Sequence, residues 1–216
     1  METMNVLEKA ANTLIITGFA LFFSTIICTL SAYAFSRYRT KGLSAAKGAL
    51  LATALIPPIV TARPLYDFLR STGLVDTYPG LIILYTSSLL PFSILILTNF
   101  FSEVPITIEE AAEVDGCNFI QKFFLVLLPL MRPGIATICI INFINCLNDL
   151  FTPLFFAGRI EVLSVAITMI PTRNAYSVPW DLTSAMGWII LFPIIIFVSV
   201  FQKQIMEGIM SGSVKG

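Results

Sequence analysis

The sequence contains no histidine, and charged residues fill only 12% of its 216 positions. Without imidazole there is no His-based proton relay, general base or metal ligand. Thirteen basic and thirteen acidic residues cancel. That balance excludes a basic nucleic-acid binder and a strongly charged disordered chain. The four cysteines, Cys28, Cys117, Cys139 and Cys146, have neither CxxC spacing nor the density of a secreted disulfide framework. They read as small packing residues. A Gly-x-x-x-x-Gly-Lys-Ser/Thr phosphate loop is also missing, so nothing in this sequence binds ATP in that way. No paired carboxylates with metal spacing and no nucleophile–base set point to an enzyme, and the residues require no cofactor.

What is abundant is apolar: 56% of the chain, against about 45–50% in a soluble domain. In water this composition exposes too much apolar surface. The chain reads as an all-α membrane protein, a bundle of about five transmembrane helices in one domain over residues 1–216. A helix needs about 20 apolar residues to cross a bilayer core. The spans fall at about 12–35, 44–62, 80–101, 134–157 and 182–201. Pro57-Pro58, Pro91, Pro153 and Pro193 lie in four of them, which points to kinked helices around a cavity. Ala32-Tyr33-Ala34 resembles a signal-cleavage site. The N-terminus nevertheless lacks a basic n-region, and the apolar run is too long for an h-region, so the first helix reads as retained.

Basic residues set the orientation. With the N-terminus outside and the C-terminus cytoplasmic, the inner segments hold Arg37, Arg39, Lys41, Lys47, Lys122, Arg132, Lys203 and Lys215. The outer ones keep Lys9, Arg63, Arg70, Arg159 and Arg173. Gly73 to Gly80 reads as a tight outer turn. Residues 158–181 form a longer outer segment, with Pro171, Pro179 and Trp180 suited to the interface.

The segment 102–132 concentrates the scarce charge: five of thirteen acids lie between Glu103 and Asp115. Thr107 with Glu110 three residues on reads as a capping box after Pro105. Glu109, Glu110 and Glu113 favour the helix dipole there, and Gly116 suits a left-handed C-cap. A second start, Asn118 with Gln121, precedes Phe119, Phe123 and Leu127 at i, i+4 spacing, ending at Pro129. Two short helices joined by a turn would form a docking knob on the inner side, where Ala111 and Ala112 allow close approach.

The fourth span carries the other constellation. Asn142, Asn145 and Asn148 recur every three residues, which predicts that they line one helix face, with Asp149 beside the last. Such amides point into a bundle or a wet path. They serve either a hydroxyl-rich solute or interhelical hydrogen bonding. Asp149 also admits a different reading, as the ionisable centre of an ion-coupled carrier. A non-catalytic subunit of a membrane complex is the other alternative.

Glu110-Ala111-Ala112, three residues, Gly116, nine residues, then Val126-Leu127-Leu128-Pro129 resembles the EAA loop of permease subunits in binding-protein-dependent ABC importers. Ser31 to Tyr38, Pro64-Leu65-Tyr66, Gly73 to Tyr78, Asn148-Asp149 and the ending Gly212 to Gly216 resemble the maltose-type carbohydrate branch. The resemblance implies that this loop seats on an ATP-binding cassette subunit and passes its closure to the membrane helices. Glu110 and Asp115 would be the polar anchors, Gly116 would set the angle, and Ala111, Ala112, Leu128 and Pro129 complete the coupling set. It also implies a prokaryotic inner-membrane location, a second permease subunit, an extracytoplasmic solute-binding protein and two ATPase subunits. Such permeases usually carry one more N-terminal helix, so the chain is expected to start just before the second. Cys117 stands in place of a common alanine, Leu147 in place of a common tryptophan, and Val126 in place of isoleucine.

Overall fold

In a bilayer, backbone polar groups must be satisfied within the chain, which favours helices wherever long apolar runs occur. The computed structural model describes residues 5–38, 40–170 and 179–213, and its regular elements there are all helical. The longest are α1 (Val6–Arg37), α4 (Tyr78–Glu103) and α11 (Trp180–Ser213). At 1.5 Å per residue the 32 residues of α1 rise about 48 Å, well beyond a hydrocarbon core of about 30 Å. A helix of that length tilts or extends beyond the apolar layer.

α1 and α4 form the centre. Asn12, Ile16, Ala20, Ser24, Cys28 and Ala32 recur every four residues on the buried face of α1. Four of these, Ala20, Ser24, Cys28 and Ala32, are fully buried. Small side chains in that register let another helix approach closely. Cys28 and Cys146 are buried packing residues, whereas Cys117 and Cys139 are only partly covered. Two cores stack along the bundle. One holds Ile16, Leu81, Tyr85 and Phe156 towards the start of α4; the other holds Tyr33, Leu97, Phe101, Phe123 and Leu127 towards its end. α11 leaves its apolar stretch almost uncovered, 6% buried against 56% for α4. Phe19, Phe22, Ile26 and Leu30 likewise face outward from α1. A surface of this kind is stable against lipid or another apolar chain, not water.

Two expected spans are not single helices. The second divides into α2 (Lys41–Ala54) and α3 (Pro58–Ser71), which meet at 102°. Pro58 lacks the N–H that would continue the ladder, and each proline drives the preceding residue out of the helical region. The fourth span ends early. α8 (Arg132–Asn148) stops before Asp149, whose backbone is extended with ψ 114°. The Asp149 carboxylate then accepts the N–H groups of Phe151 at 2.9 Å and Thr152 at 3.2 Å, starting α9 (Phe151–Phe156). α10 (Leu163–Ala166) comes next on the way to α11. Among the residues named in the sequence, Arg39, Pro171, Arg173 and 214–216 lie outside the described set.

The turn before α4 is closed by sequence-local chemistry. Thr77 accepts the N–H of Gly80, and Pro79 occupies the first turn. A Cβ on Gly80 would lie 2.1 Å from the Leu74 carbonyl oxygen, so only glycine fits. Asp76 adopts φ 56°, and its carboxylate accepts N–H groups from Gly158, Arg159 and Ile160 at 2.8 to 3.2 Å. Burial opposes ionisation there, yet these three donors hold the Asp76 carboxyl below its ordinary value of 3.8.

Candidate coupling and solute sites

Pro105 starts α5 (Ile106–Val114) with an extended ψ of 136°. The expected capping box of Thr107 and Glu110 does not form. No side chain caps this helix, because its start at Ile106 places Thr107 inside the first turn. Gly116 does turn the chain as expected, at φ 82°, and Cys117 N–H bonds back to the Ala112 carbonyl. The second start also forms: Asn118 and Gln121 make a reciprocal capping box. Beyond that box the limb is not a plain helix. α6 (Phe119–Gln121), a π-helical stretch (Lys122–Leu127) and α7 (Leu128–Leu130) run as one limb, bent by 69° from α8 at Met131.

On this loop Glu110, Ala111, Asp115 and Gly116 are exposed, Ala112 is buried, and Leu128 and Pro129 are half-buried. Glu110 and Asp115 form no ion pair within the described residues, so both carboxylates remain open to another molecule. The residue that reading the sequence missed is Glu109. It is 4% exposed and ion-paired with Arg37 from the end of α1. The Tyr33 hydroxyl donates to its other oxygen at 3.0 Å, and Lys122 stands 3.5 Å away. Lys122 also binds Glu113 at 2.6 Å. That hydrogen bond to Glu113 holds the Lys122 ammonium above its ordinary pKa despite burial. Arg37 donates further to the Val104 carbonyl at 2.9 Å. Two acids and two bases thus neutralise one another where α1, α4 and the loop meet. Helical spacing alone placed Glu109 beside Glu110 without showing which one turns inward.

The asparagine row is split by the bundle. Asn142 is buried and accepts the Ser93 hydroxyl at 3.0 Å, a bond between α8 and α4. Asn145 and Asn148 are exposed. A three-residue repeat drifts about 60° per step around a 3.6-residue helix, so the three do not share one environment. Asn145 and Asp149 line a cavity of about 790 Å³ between α2, α3, α4, α8 and α9; Asn148 does not reach it. Leu147 instead joins Leu21 and Phe143 in a core under α11. The bend between α2 and α3 opens this cavity, placing Thr53, Ile56, Pro58 and Thr61 on its wall. Thr53, Thr61, Ser87 and Ser88 in the lining all donate their protons to backbone carbonyls of the preceding turn. Their oxygens, and one oxygen of Asp149, are left as acceptors. The Asn145 amide has no partner within the described residues and offers both donor and acceptor.

A family model described as "Binding-protein-dependent transport system inner membrane component" matches residues 7–209. The chain is 36% identical over 195 residues to the trehalose transport system permease protein SugB of Mycobacterium tuberculosis (strain CDC 1551 / Oshkosh), covering 89% of this chain and 71% of that one. It is 32% identical over 208 residues to the melibiose/raffinose/stachyose import permease protein MelC of Bacillus subtilis (strain 168), covering 95% and 75%. The fold also matches a bacterial ABC transporter involved in import of the acidic polysaccharide alginate, with TM-score 0.75, 25% identity and coverage of 94% and 76%. The chain therefore belongs to the family of binding-protein-dependent transport system inner membrane components, as a non-catalytic, multi-pass permease subunit of an ABC importer whose ATP hydrolysis takes place on a partner.

Proposed function

We propose that this chain forms half of the translocation path of an ATP-driven importer for a carbohydrate, in the maltose-type branch. The observation that carries this reading is the acceptor-rich cavity. Four lining hydroxyls have committed their protons to the backbone, so a solute rich in O–H donors meets waiting oxygens, with Asn145 able to answer either polarity. A cavity of about 790 Å³ is large enough for one or two sugar rings. The relatives support the same chemistry: their names specify trehalose, melibiose, raffinose, stachyose and diacetylchitobiose.

In this reading residues 1–216 form one permease domain with the N-terminus outside and the C-terminus in the cytoplasm. Arg37 and Lys122 meet at the α5 end, and Lys41, Lys47 and Arg132 follow closely in the chain, so the positive-inside preference favours that end as the cytoplasmic one. Segment 102–132 is then the coupling loop. Glu110, Ala111, Ala112, Asp115 and Gly116 meet the ATP-binding cassette subunit, while Leu128 and Pro129 seat the second limb. A second permease subunit covers the apolar faces left open, and an extracytoplasmic binding protein delivers solute at the opposite end. Asn142 is structural, and Asn145 and Asp149 contact solute.

The test is uptake by the complete complex in proteoliposomes, supplied with binding protein and radiolabelled trehalose, maltose or melibiose. ATP-dependent accumulation of at least one, resistant to uncouplers, is the expected result. ATP-dependent uptake of amino acids alone would overturn the carbohydrate assignment, and uncoupler-sensitive uptake without ATP would overturn the importer.

A further inference from the structure

Glu109 and Glu110 are adjacent in sequence but look in opposite directions. Glu110 is open, whereas Glu109 is sealed among partners from two other parts of the chain. Tyr33 and Arg37 come from α1, and Lys122 comes from the second limb of the loop. Arg37 also grips the Val104 carbonyl just beyond α4, and the Ser36 and Ser102 hydroxyls meet at 3.4 Å beside it. An aromatic collar closes the cluster: the Tyr33 ring lies 5.6 to 5.9 Å from those of Phe101, Phe119 and Phe123. These contacts tie α1, α4, α5 and the second limb into one body. The 69° bend at Met131 is where that body gives way to α8.

Buried ion pairs contribute little net stability compared with apolar packing, so stability alone is a weak reason for this arrangement. They do fix geometry, because removing one partner leaves a charge with nowhere to go. We infer that Glu109 is a positioning residue that mounts the coupling loop on the end of α1, so that a push on Glu110 and Gly116 displaces α1 and α4 together relative to α8. This rests on the coupling role proposed for the loop and goes further in naming the inner face of α5 as the transmitting element. The outer face receives the partner; Glu109 passes its motion on. Because the cavity lies between α4 and α8 among others, that relative displacement changes its walls.

The test uses the whole complex in proteoliposomes, measuring ATP hydrolysis and solute uptake in the same vesicles. Glu109→Gln keeps the shape of the side chain and removes its charge. The expected result is an assembled complex that hydrolyses ATP near the wild-type rate while uptake per ATP falls by about tenfold. The double variant Arg37→Glu with Glu109→Arg restores the opposite-charge pair and is expected to recover most of that ratio. An unchanged ratio in Glu109→Gln overturns the inference. So does a loss of uptake and hydrolysis in proportion to assembled complex, which marks a purely structural role. A swap that assembles and hydrolyses ATP without recovering the ratio also overturns it. Wild-type vesicles that hydrolyse ATP without any uptake overturn the functional reading and this inference together, which separates the two failures.

Discussion

Replacing Asp76 by alanine removes a clasp between the turn before α4 and the segment after α9. Its carboxylate accepts the N–H groups of Gly158, Arg159 and Ile160, and nothing else in the described residues takes those three donors. A hydrogen bond to a charged acceptor contributes about 1.5–3 kcal/mol. The side chain is 20% exposed, so water replaces part of each bond and the lower value applies. At about 1.4 kcal/mol per factor of ten, each amide should exchange hydrogen roughly tenfold faster once the carboxylate is gone. Asp76→Asn separates charge from shape: asparagine tolerates φ 56° and still offers one oxygen, so acceleration should be smaller. Arg159 is 96% exposed and 3.9 Å from Asp76, so Arg159→Ala should leave exchange unchanged. Hydrogen exchange with mass spectrometry on the detergent-solubilised complex reads peptides covering 157–163. Unaltered exchange there in Asp76→Ala refutes the clasp, as would equal effects from Arg159→Ala.

The same carboxyl gives a pH dependence of known sign. Its folded-state pKa is depressed, so the clasp's contribution is present above the ordinary value of 3.8 and is lost as pH falls through the lower folded value. Protection of 157–163 should therefore be constant from pH 8 down to about 5; loss of protection in that range would contradict it. Gly80→Ala forces a methyl against the Leu74 carbonyl and should lower the amount of assembled complex sharply, as read by affinity pull-down. Gly116→Pro demands φ near −65° where the chain has 82°, and should leave membrane insertion intact while uncoupling ATP hydrolysis from uptake; normal uptake by that variant counts against the loop. Asn145→Ala should raise the KM for solute at unchanged abundance, whereas Asn142→Ala, by orphaning the Ser93 hydroxyl, should reduce abundance.

Much of the architecture is legible in the residues because hydropathy and helix punctuation act locally. The three long helices arise from apolar runs, and Gly116, Asn118 and Gln121 behave as their spacing predicts. The misreadings arise from contacts between distant segments at Glu109, and from local backbone geometry at Asp149 and the asparagine row. Pro57-Pro58 signalled a kink, but local rules do not give its 102° size. Asp149 stood out as an intramembrane acid; that it ends α8 and starts α9 depends on which amides its carboxylate reaches. Glu109 differs from Glu110 in facing Tyr33, Arg37 and Lys122, of which Arg37 lies 72 positions away. The small residues at every fourth position from Ala20 to Ala32 are a signal for close helix packing that the sequence does carry. In the asparagine row a spacing of three predicts one face, but the drift of about 60° per step sends Asn142 to Ser93 and Asn145 to the cavity.

The loop between α4 and α8 is the surface assigned to the ATPase, and site-directed cross-linking tests that assignment most directly. In a variant lacking Cys28, Cys117, Cys139 and Cys146, a single cysteine is placed at Glu110 or, at the other end of the bundle, at exposed Thr72. A short bismaleimide is then added to membranes holding the complete complex. A product joining the permease to the ATPase subunit from position 110 and none from position 72 is the predicted result; the reverse pattern would contradict both the coupling site and the orientation.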